Sequence, residues 1–233
     1  MIKLYQFPAA WGLPNPSPFC MKLEVYMRLA EIPYEIVTMA DPRKAPKGKL
    51  PMIEHNGHRI ADSEFCLYFL AEQAAVDLDG HLSPAERAAG YGFQKMLDET
   101  FYWAMVYSRW IDPRVWPALK TQFFGDFPPV VRDILPAMIR RNVKRALHAQ
   151  GTGRHSAKEI YFLADKCLQA LSDFMGEKPY LMGERPTSFD ATVYSFVANA
   201  AFVPFETELR HSARSYENLM AYCARMKAAA FPD

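Results

Sequence analysis

The stretch KAPKGKLPMIEHNGHRIADSEFC, residues 44–66, carries the strongest fold signal in the chain. It starts as a cationic loop and reaches a Leu-Pro step at 50–51, after which mostly apolar residues predict a β-strand at 52–55. The Asn-Gly pair at 56–57 is the strongest short-range signal for a tight hairpin turn. A second strand follows, and a helix is predicted to begin at the Asp-Ser pair at 62–63.

The sequence before this stretch supplies the other elements of an α/β domain. Residues 2–7 predict a buried strand, and apolar side chains recur at helical spacing over 18–30. A further strand is predicted at 36–38. The order strand, helix, strand, loop, strand, strand, helix is typical of a thioredoxin-like domain, in which helices flank a mixed sheet.

The character of the chain changes after a helix that is predicted to end near Ala75. Residues 76–83 are interpreted as a linker, and no strand alternation is found beyond them. We therefore predict an α+β, thioredoxin-like N-terminal domain over 1–78 and an all-α C-terminal domain over 84–233. Helices of the second domain are predicted to begin at Pro84, after Pro136, near Ser156, at Thr187 and at Tyr216.

Composition and charge argue against several classes of protein. Half of the 233 residues are hydrophobic and 23% are charged, which predicts a packed globular chain. The formal net charge of +1 gives no general attraction to nucleic acid or to an anionic membrane. The most apolar stretch, 193–205, is shorter than the ~20 residues that a membrane span needs. Residues 1–7 are too short and polar for a signal segment.

The cysteines predict neither a metal site nor a disulfide framework. Cys20, Cys66, Cys167 and Cys223 lie far apart, and no CxxC or other metal-ligand spacing occurs. We therefore expect a reduced, cytoplasmic protein with free thiols and no bound metal.

The first candidate for chemistry is Ser17, which precedes Pro18 at the predicted start of a helix. A serine N-cap followed by proline would put the Ser17 hydroxyl at the positive end of that helix, where anions such as a thiolate are stabilised. The alternative is that Ser17 only caps the helix. Cys20, three residues on, would be nucleophilic if solvent reached it and inert if it were buried.

Two short segments of the opening stretch could bind a peptide. Pro51 enters a strand where a thioredoxin-like fold places a cis-proline, which would turn the backbone N–H and C=O of Leu50 outward to pair with an extended peptide. Ser63 as an N-cap would expose donors for a carboxylate, and Asp62 could pair with an α-ammonium group. The basic residues nearby could meet a second carboxylate or simply be solvated: Arg43, Lys44, Lys47 and Lys49.

An aromatic helix is predicted from 84 to about 110. Its apolar residues lie on more than one face, which predicts burial against its own domain and against a cleft under the first domain. The candidates for a hydrophobic substrate site are Trp11, Tyr102, Trp103, Tyr107 and Trp110.

Two further motifs are interpreted as structural. Thr187 and Asp190 match a capping box ahead of an apolar run, so that Asp190 should bind backbone donors rather than transfer protons. The basic residues within 140–148 are interpreted as a solvated helix face.

These residues resemble the glutathione transferase superfamily over essentially the whole chain. Residues 44–65 are most similar to the branch that contains metaxin and Failed axon connections and that also has bacterial members. The resemblance implies that Leu50 and Pro51 contact the cysteinyl backbone of glutathione. Asp62 and Ser63 would hold its γ-glutamyl end, and Lys49 is a further candidate for binding glutathione.

The resemblance offers three residues that could activate the thiol. The tetrapeptide SPFC at 17–20 is similar to the CPF segment of omega-type enzymes, with Ser17 in place of the reactive cysteine, which argues against thiol-transferase chemistry. It is compatible with serine-type enzymes, in which a hydroxyl stabilises the glutathione thiolate. Tyr5 resembles the tyrosine of tyrosine-type enzymes, although its position is offset by one residue, and ranks second. Cys20 ranks third.

The leading prediction is a cytoplasmic glutathione transferase that joins the glutathione thiolate to a small hydrophobic electrophile, as in detoxification. Glutathione would be the co-substrate, and neither a metal, nor nucleic acid, nor a membrane span is expected. One alternative is a non-catalytic binding or scaffold protein of the same fold, as several eukaryotic members of the branch are. Another is a glutathione-dependent thiol reductase that uses Cys20. A homodimer is implied by the resemblance alone.

Overall fold

Four strands form one mixed sheet at the N-terminal end of the protein. The structure is a computed structural model that describes residues 1–73 and 76–232. The strands lie in the order β2-β1-β3-β4, with β1 and β2 parallel and the other two pairs antiparallel. Their bounds are β1 Ile2–Gln6, β2 Tyr34–Thr38, β3 Met52–His55 and β4 His58–Ala61. The predicted strands and the hairpin are therefore confirmed to within a few residues.

Two helices complete this thioredoxin-like part. Helix α1, Pro18–Leu29, is buried along most of its length because it packs against α2 and against a helix of the second part. Helix α2 spans Ser63–Gln73. The predicted end of this helix near Ala75 lies outside the described residues.

Everything described beyond α2 is helical or irregular, as predicted for the second part. The helices are α3 Pro84–Lys95, α4 Tyr102–Trp110, α5 Trp116–Phe124, α6 Pro129–Gln150, α7 Ala157–Met175, α8 Ser188–Ala201, α9 Glu208–Ser215 and α10 Glu217–Ala230. The helix expected after Pro136 begins seven residues earlier, at Pro129, and keeps Pro136 as a buried residue within it. That start was missed because the pattern of apolar residues is weak where α6 is mostly exposed.

The long aromatic helix predicted from 84 to 110 is divided by a segment of π-helix, Met96–Phe101. Both carboxylate oxygens of Asp98 in this segment lie 3.1 Å from Nζ of Lys22 on α1. The side chains of Lys22 and Asp98 are 0% and 7% exposed, so this ion pair is almost completely excluded from solvent. Because removing one member would leave an unpaired buried charge, the pair locks α1 against the second part.

One cluster of buried apolar side chains runs through both parts of the molecule. Leu4 of the sheet, Phe101 of the π-helical segment and Val193 of α8 all belong to it. The two parts therefore share a core, although the domain bounds of 1–78 and 84–233 stay predictions.

Helix α8 is the centre of the helical part and begins at the predicted capping box. Asp190, which is fully buried, accepts hydrogen bonds from the N–H and hydroxyl of Thr187 and from the N–H of Leu181. Tyr222 of α10 donates to the same carboxylate at 3.0 Å. The Asp190 carboxylate therefore serves in structural hydrogen bonds, as the capping-box motif predicted.

Two observations bear on the class of protein to which the chain could belong. Within residues 1–73 and 76–232, no helix combines the length and the apolar character that crossing a bilayer requires. In the same ranges, no three or more His, Cys, Asp or Glu side chains gather in a way that could hold a metal ion.

Candidate active site

Ser17 caps α1 and keeps a hydroxyl proton to donate. Its side-chain oxygen accepts the N–H of Cys20 at 3.4 Å, as a helix N-cap should, and Pro18 occupies the first helical position. Accepting that bond uses a lone pair of the oxygen but not its hydrogen. The two interpretations of Ser17, cap and anion binder, are therefore compatible.

The loop before Ser17 is held by Asn15, a buried residue that was not among the predicted site residues. Asn15 Oδ1 accepts the N–H of Ser17 at 3.0 Å, and Asn15 Nδ2 donates to the carbonyl oxygen of Phe7 at 2.7 Å. Asn15 thus ties the helix start to the residue that follows β1. An Asn two residues ahead of a cap is a known turn signal, and it could have found this residue.

Two residues of the helical part hold the same loop from the other side. Arg109, at the end of α4, donates to the carbonyl oxygen of Pro16 and, at 2.8 Å each, to the main-chain and side-chain oxygens of Asn199 on α8. Asn199 Nδ2 in turn donates to the carbonyl oxygen of Asn15 at 3.2 Å. Neither residue carries a sequence signal, because both act on a loop about 90 residues or more away along the chain.

Cys20 is not available as a nucleophile. Its side chain is 0% exposed, and burial raises the pKa of its thiol to about 12 despite opposing hydrogen bonds with Ser17 and Phe7. A thiol in that environment stays protonated at neutral pH. Burial and the raised pKa therefore argue against Cys20 as the reactive residue and against the reductase alternative that depends on it.

Tyr5, the second-ranked candidate, is engaged elsewhere. Its hydroxyl donates to Glu54 Oε2 at 3.2 Å, and the same carboxylate binds Arg59 Nε at 2.7 Å, which holds the pKa of Glu54 below its usual value. Glu54 lies opposite Lys3 in the sheet, so the hydroxyl points back along β1. Ser17 follows the opposite end of β1, and Tyr5 is therefore directed away from it.

The Leu-Pro step lies on the same side of the sheet as the start of α1. The peptide bond between Leu50 and Pro51 is cis, which the sequence left open. Neither the N–H nor the C=O of Leu50 is bonded to the main chain of the described residues. Leu50, Cys20 and Ala61 pack in one small apolar cluster. The chain segments that carry Ser17, Pro51 and Asp62 therefore meet at the end of the sheet where β1 and β4 end and β3 begins.

The start of α2 differs in one respect from the prediction. Asp62, not Ser63, is the capping residue, because its Oδ1 accepts the N–H of Glu64 at 3.0 Å and the helix begins at Ser63 itself. Asp62 is exposed and has a φ of +86°, a conformation that non-glycine residues seldom adopt. Strained backbone of this kind is concentrated at binding sites, and Asp62 keeps its second carboxylate oxygen for a ligand.

The basic run before Pro51 is only partly free to meet a ligand. Arg43 forms two 2.8 Å contacts with the Asp41 carboxylate, and Lys47 lies over the ring of Phe65 at 4.3 Å. Lys44 and Lys49 are exposed. Of the basic candidates near the site, Lys49 is the one next to Leu50.

The five aromatic candidates do not form one pocket. Tyr107 packs on Tyr161 of α7, and Trp110 packs on Trp116 of α5. Trp11 instead contacts Phe123, Phe205 and the Arg109 guanidinium. Tyr102 packs between Phe19 of α1 and Trp103. Sequence spacing could not separate these groups, because their partners Phe19, Tyr161 and Trp116 come from other elements of the fold.

The predicted basic face of 140–148 lies on α6, away from this site. Arg140 lies over the ring of Trp116 at 4.9 Å and donates to the carbonyl oxygens of Trp110 and Ile111. Arg140 also lines a surface depression of about 380 Å³, together with Lys120, Arg141 and Lys144. Arg140 is therefore structural, whereas Arg141, Lys144 and Arg145 are exposed as predicted.

Comparison with known families matches both parts of the chain. Residues 18–115 match the glutathione S-transferase N-terminal domain, and residues 164–226 match the glutathione S-transferase C-terminal domain. The segment between them, which contains α5 and α6, is matched by neither of these two models.

Individual relatives agree with this assignment. The isoprene-epoxide–glutathione S-transferase of Rhodococcus sp. is 29% identical over 97% of this chain and 98% of its own length. Failed axon connections of Drosophila melanogaster is 30% identical over the whole of this chain but only 59% of its own length. Among solved structures, the β-etherase LigF of Sphingobium sp. has the same fold, with a TM-score of 0.65 and 18% identity over 97% of this chain and 95% of LigF.

The matched domains, the cis Leu50-Pro51 step and the capped start of α1 lead to the same assignment. The chain belongs to the glutathione transferase superfamily, in the branch that also contains Failed axon connections and metaxin.

Proposed function

We propose that this protein binds glutathione and joins its thiolate to a small apolar electrophile. The observation that supports the proposal is the apolar cluster of Cys20, Leu50 and Ala61, which draws together the chain segments that carry Ser17, Pro51 and Asp62. The free N–H and C=O of Leu50 suit the cysteinyl backbone of the tripeptide, in the manner of an added strand. Asp62 and the first turn of α2 suit the charged γ-glutamyl end. Lys49 would meet a carboxylate of the ligand.

Ser17 would stabilise the thiolate by donating its hydroxyl proton at the start of α1. Lowering the pKa of a thiol from ~8.5 to ~6.5 requires about 2.7 kcal/mol. A hydrogen bond to a charged group contributes roughly 1.5–3 kcal/mol, and the end of a helix adds ~0.3–1 kcal/mol. A hydroxyl at the start of α1 is therefore sufficient, and no general base is required.

The electrophile would lie among the aromatic side chains nearest to Ser17. Phe19 and Tyr102 are in contact at a ring separation of 4.8 Å, and Trp103 packs beside Tyr102. Trp11 lies on the loop that leads to Ser17. Such apolar surfaces discriminate weakly between substrates, by about 1–3 kcal/mol per methylene, so that a broad range of small electrophiles is expected.

The experiment compares wild type, Ser17→Ala and Ser156→Ala by ultraviolet titration of the bound glutathione thiolate. Ser156 is a matched control, because it is also a helix N-cap serine that accepts an N–H three residues on, but it lies at the start of α7. Ser17→Ala should raise the pKa of the bound thiol by about 1–2 units and slow conjugation in proportion at neutral pH. Ser156→Ala should leave that pKa unchanged. Equal pKa values in wild type and Ser17→Ala would remove Ser17 from the mechanism.

A second candidate is a non-catalytic binding or scaffold protein of the same fold. Its support is the relation to Failed axon connections and metaxin-1, neither of which is named as a transferase. A rise in melting temperature with glutathione, together with no turnover on a panel of epoxides and aryl halides, would favour it. Cytoplasmic location and homodimerisation are further proposals, which fractionation and light scattering can test.

A further inference from the structure

Arg109 is a buried cation that contacts the loop before Ser17 and has no carboxylate partner among the described residues. Its three hydrogen bonds go to the carbonyl oxygen of Pro16 and to the two oxygens of Asn199. The indole ring of Trp11 lies 4.9 Å from the guanidinium carbon and shields it. Within the described part of the chain, no carboxylate contributes to the electrostatics of this group.

Burial lowers the pKa of Arg109 to about 10, so the side chain remains charged at neutral pH. A desolvated cation is costly, and proteins usually neutralise it with a carboxylate. Here only dipoles and an aromatic face compensate it. The positive potential of a charge that is not neutralised extends into its surroundings, and low local dielectric strengthens it.

Other titratable groups near Arg109 do not cancel this potential. Tyr102 lies on the same helix, and burial raises the pKa of its phenol. Cys20 of α1 is a neutral thiol at neutral pH. The α1 carboxylate Glu24 is bound by Gln6, Arg28 and Tyr34. The facing residues of α8 and of the loop, Asn199 and Pro16, have no charge.

The potential acts at the place where the proposed thiolate would form. Arg109 contacts the carbonyl of Pro16, the residue immediately before Ser17, and the N-terminus of α1 adds its own positive end there. We propose that Arg109 is an electrostatic positioning residue, which lowers the pKa of glutathione bound at Ser17 through its charge and holds the Ser17 loop through Pro16. This inference rests on the proposed function. Arg109 does not touch the sulfur.

The first test measures the pKa of the bound glutathione thiol in Arg109→Met and Arg109→Lys. Loss of one nearby charge should raise that pKa by about one unit, so that the rate at low pH falls about tenfold and recovers at high pH. Arg109→Lys keeps the charge and should restore most of the shift. A purely structural role would lower the rate equally at all pH values, and would overturn the proposal.

The second test neutralises the charge without removing Arg109. Asn199→Asp puts a carboxylate where Arg109 Nη2 already meets an oxygen at 2.8 Å. Asn199→Ala is its control, because it also loses the amide donor but adds no charge. The pKa of the bound thiol should be higher in Asn199→Asp than in Asn199→Ala. Equal values would contradict the proposal even if Arg109→Met failed to fold.

These results also separate the inference from the function on which it rests. If wild type binds glutathione without lowering the pKa of its thiol, the proposed function fails. If wild type lowers that pKa and all four variants lower it equally, only the role of Arg109 fails.

Discussion

The two sides of the candidate site are built in different ways. The proposed peptide-binding side is local, since Leu50, Pro51, Asp62 and Ser63 lie within fourteen consecutive residues. The sulfur side is assembled from three parts of the chain, because Ser17 depends on a loop that Arg109 and Asn199 hold from the helical domain. In the proposed function, the peptide-binding surface depends on a short segment, whereas thiol activation depends on contacts between both parts of the chain.

The largest effect is expected at the support of the sulfur side, from Asn15→Ala. It would leave the N–H of Ser17 and the carbonyl of Phe7, both half-buried, without their present partner, at a cost of up to about 1–3 kcal/mol for each group. We expect a lower free energy of unfolding, measured by denaturant titration, and a higher pKa of the bound thiol. Asn15→Asp keeps the acceptor for Ser17 N–H and should restore part of the thiol pKa. If glutathione affinity fell more than thiol reactivity, the proposed division between the two sides would be wrong.

An intermediate effect is expected on the peptide side, from Asp62→Asn. Asparagine tolerates the positive φ and can still cap α2, so only the charge is removed. Loss of a charge-assisted contact of about 1.5–3 kcal/mol should weaken glutathione binding by roughly 10–150-fold in calorimetry. The pKa of the bound thiol should stay that of wild type. A raised thiol pKa would show that the two sides are not separable.

The smallest effect is expected from Cys20→Ala. Cys20 lies between the proposed peptide-binding side and the proposed sulfur side of the site. Because burial keeps the Cys20 thiol protonated, the variant should retain conjugation activity within about threefold, apart from a modest loss of stability from the small cavity. Loss of activity in a variant that binds glutathione normally would restore the thiol-reductase hypothesis. Cys167→Ala on α7, another buried thiol, is the control for stability.

The pattern along the chain predicted the parts of the fold that depend on near neighbours. The hairpin at 52–61 followed from Asn56-Gly57, and α8 began where Thr187 and Asp190 form a capping box. The start of α6 at Pro129 and the π-helical segment at 96–101 were missed. The π-helical segment contacts α7 and α8, which local periodicity does not record, whereas the exposed start of α6 carries only a weak apolar pattern.

The sequence by itself predicted the family, the order of strands and helices in the thioredoxin-like part, and the starts of α3, α7, α8 and α10. These follow from turns, caps and proline positions, whose hydrogen bonds join residues only a few positions apart. Only the tertiary structure decided that Cys20 is inert, that Tyr5 points away and that Arg109 stands behind Ser17. Burial and electrostatic potential depend on groups that meet in space, and Arg109 is 93 residues from the carbonyl that it binds.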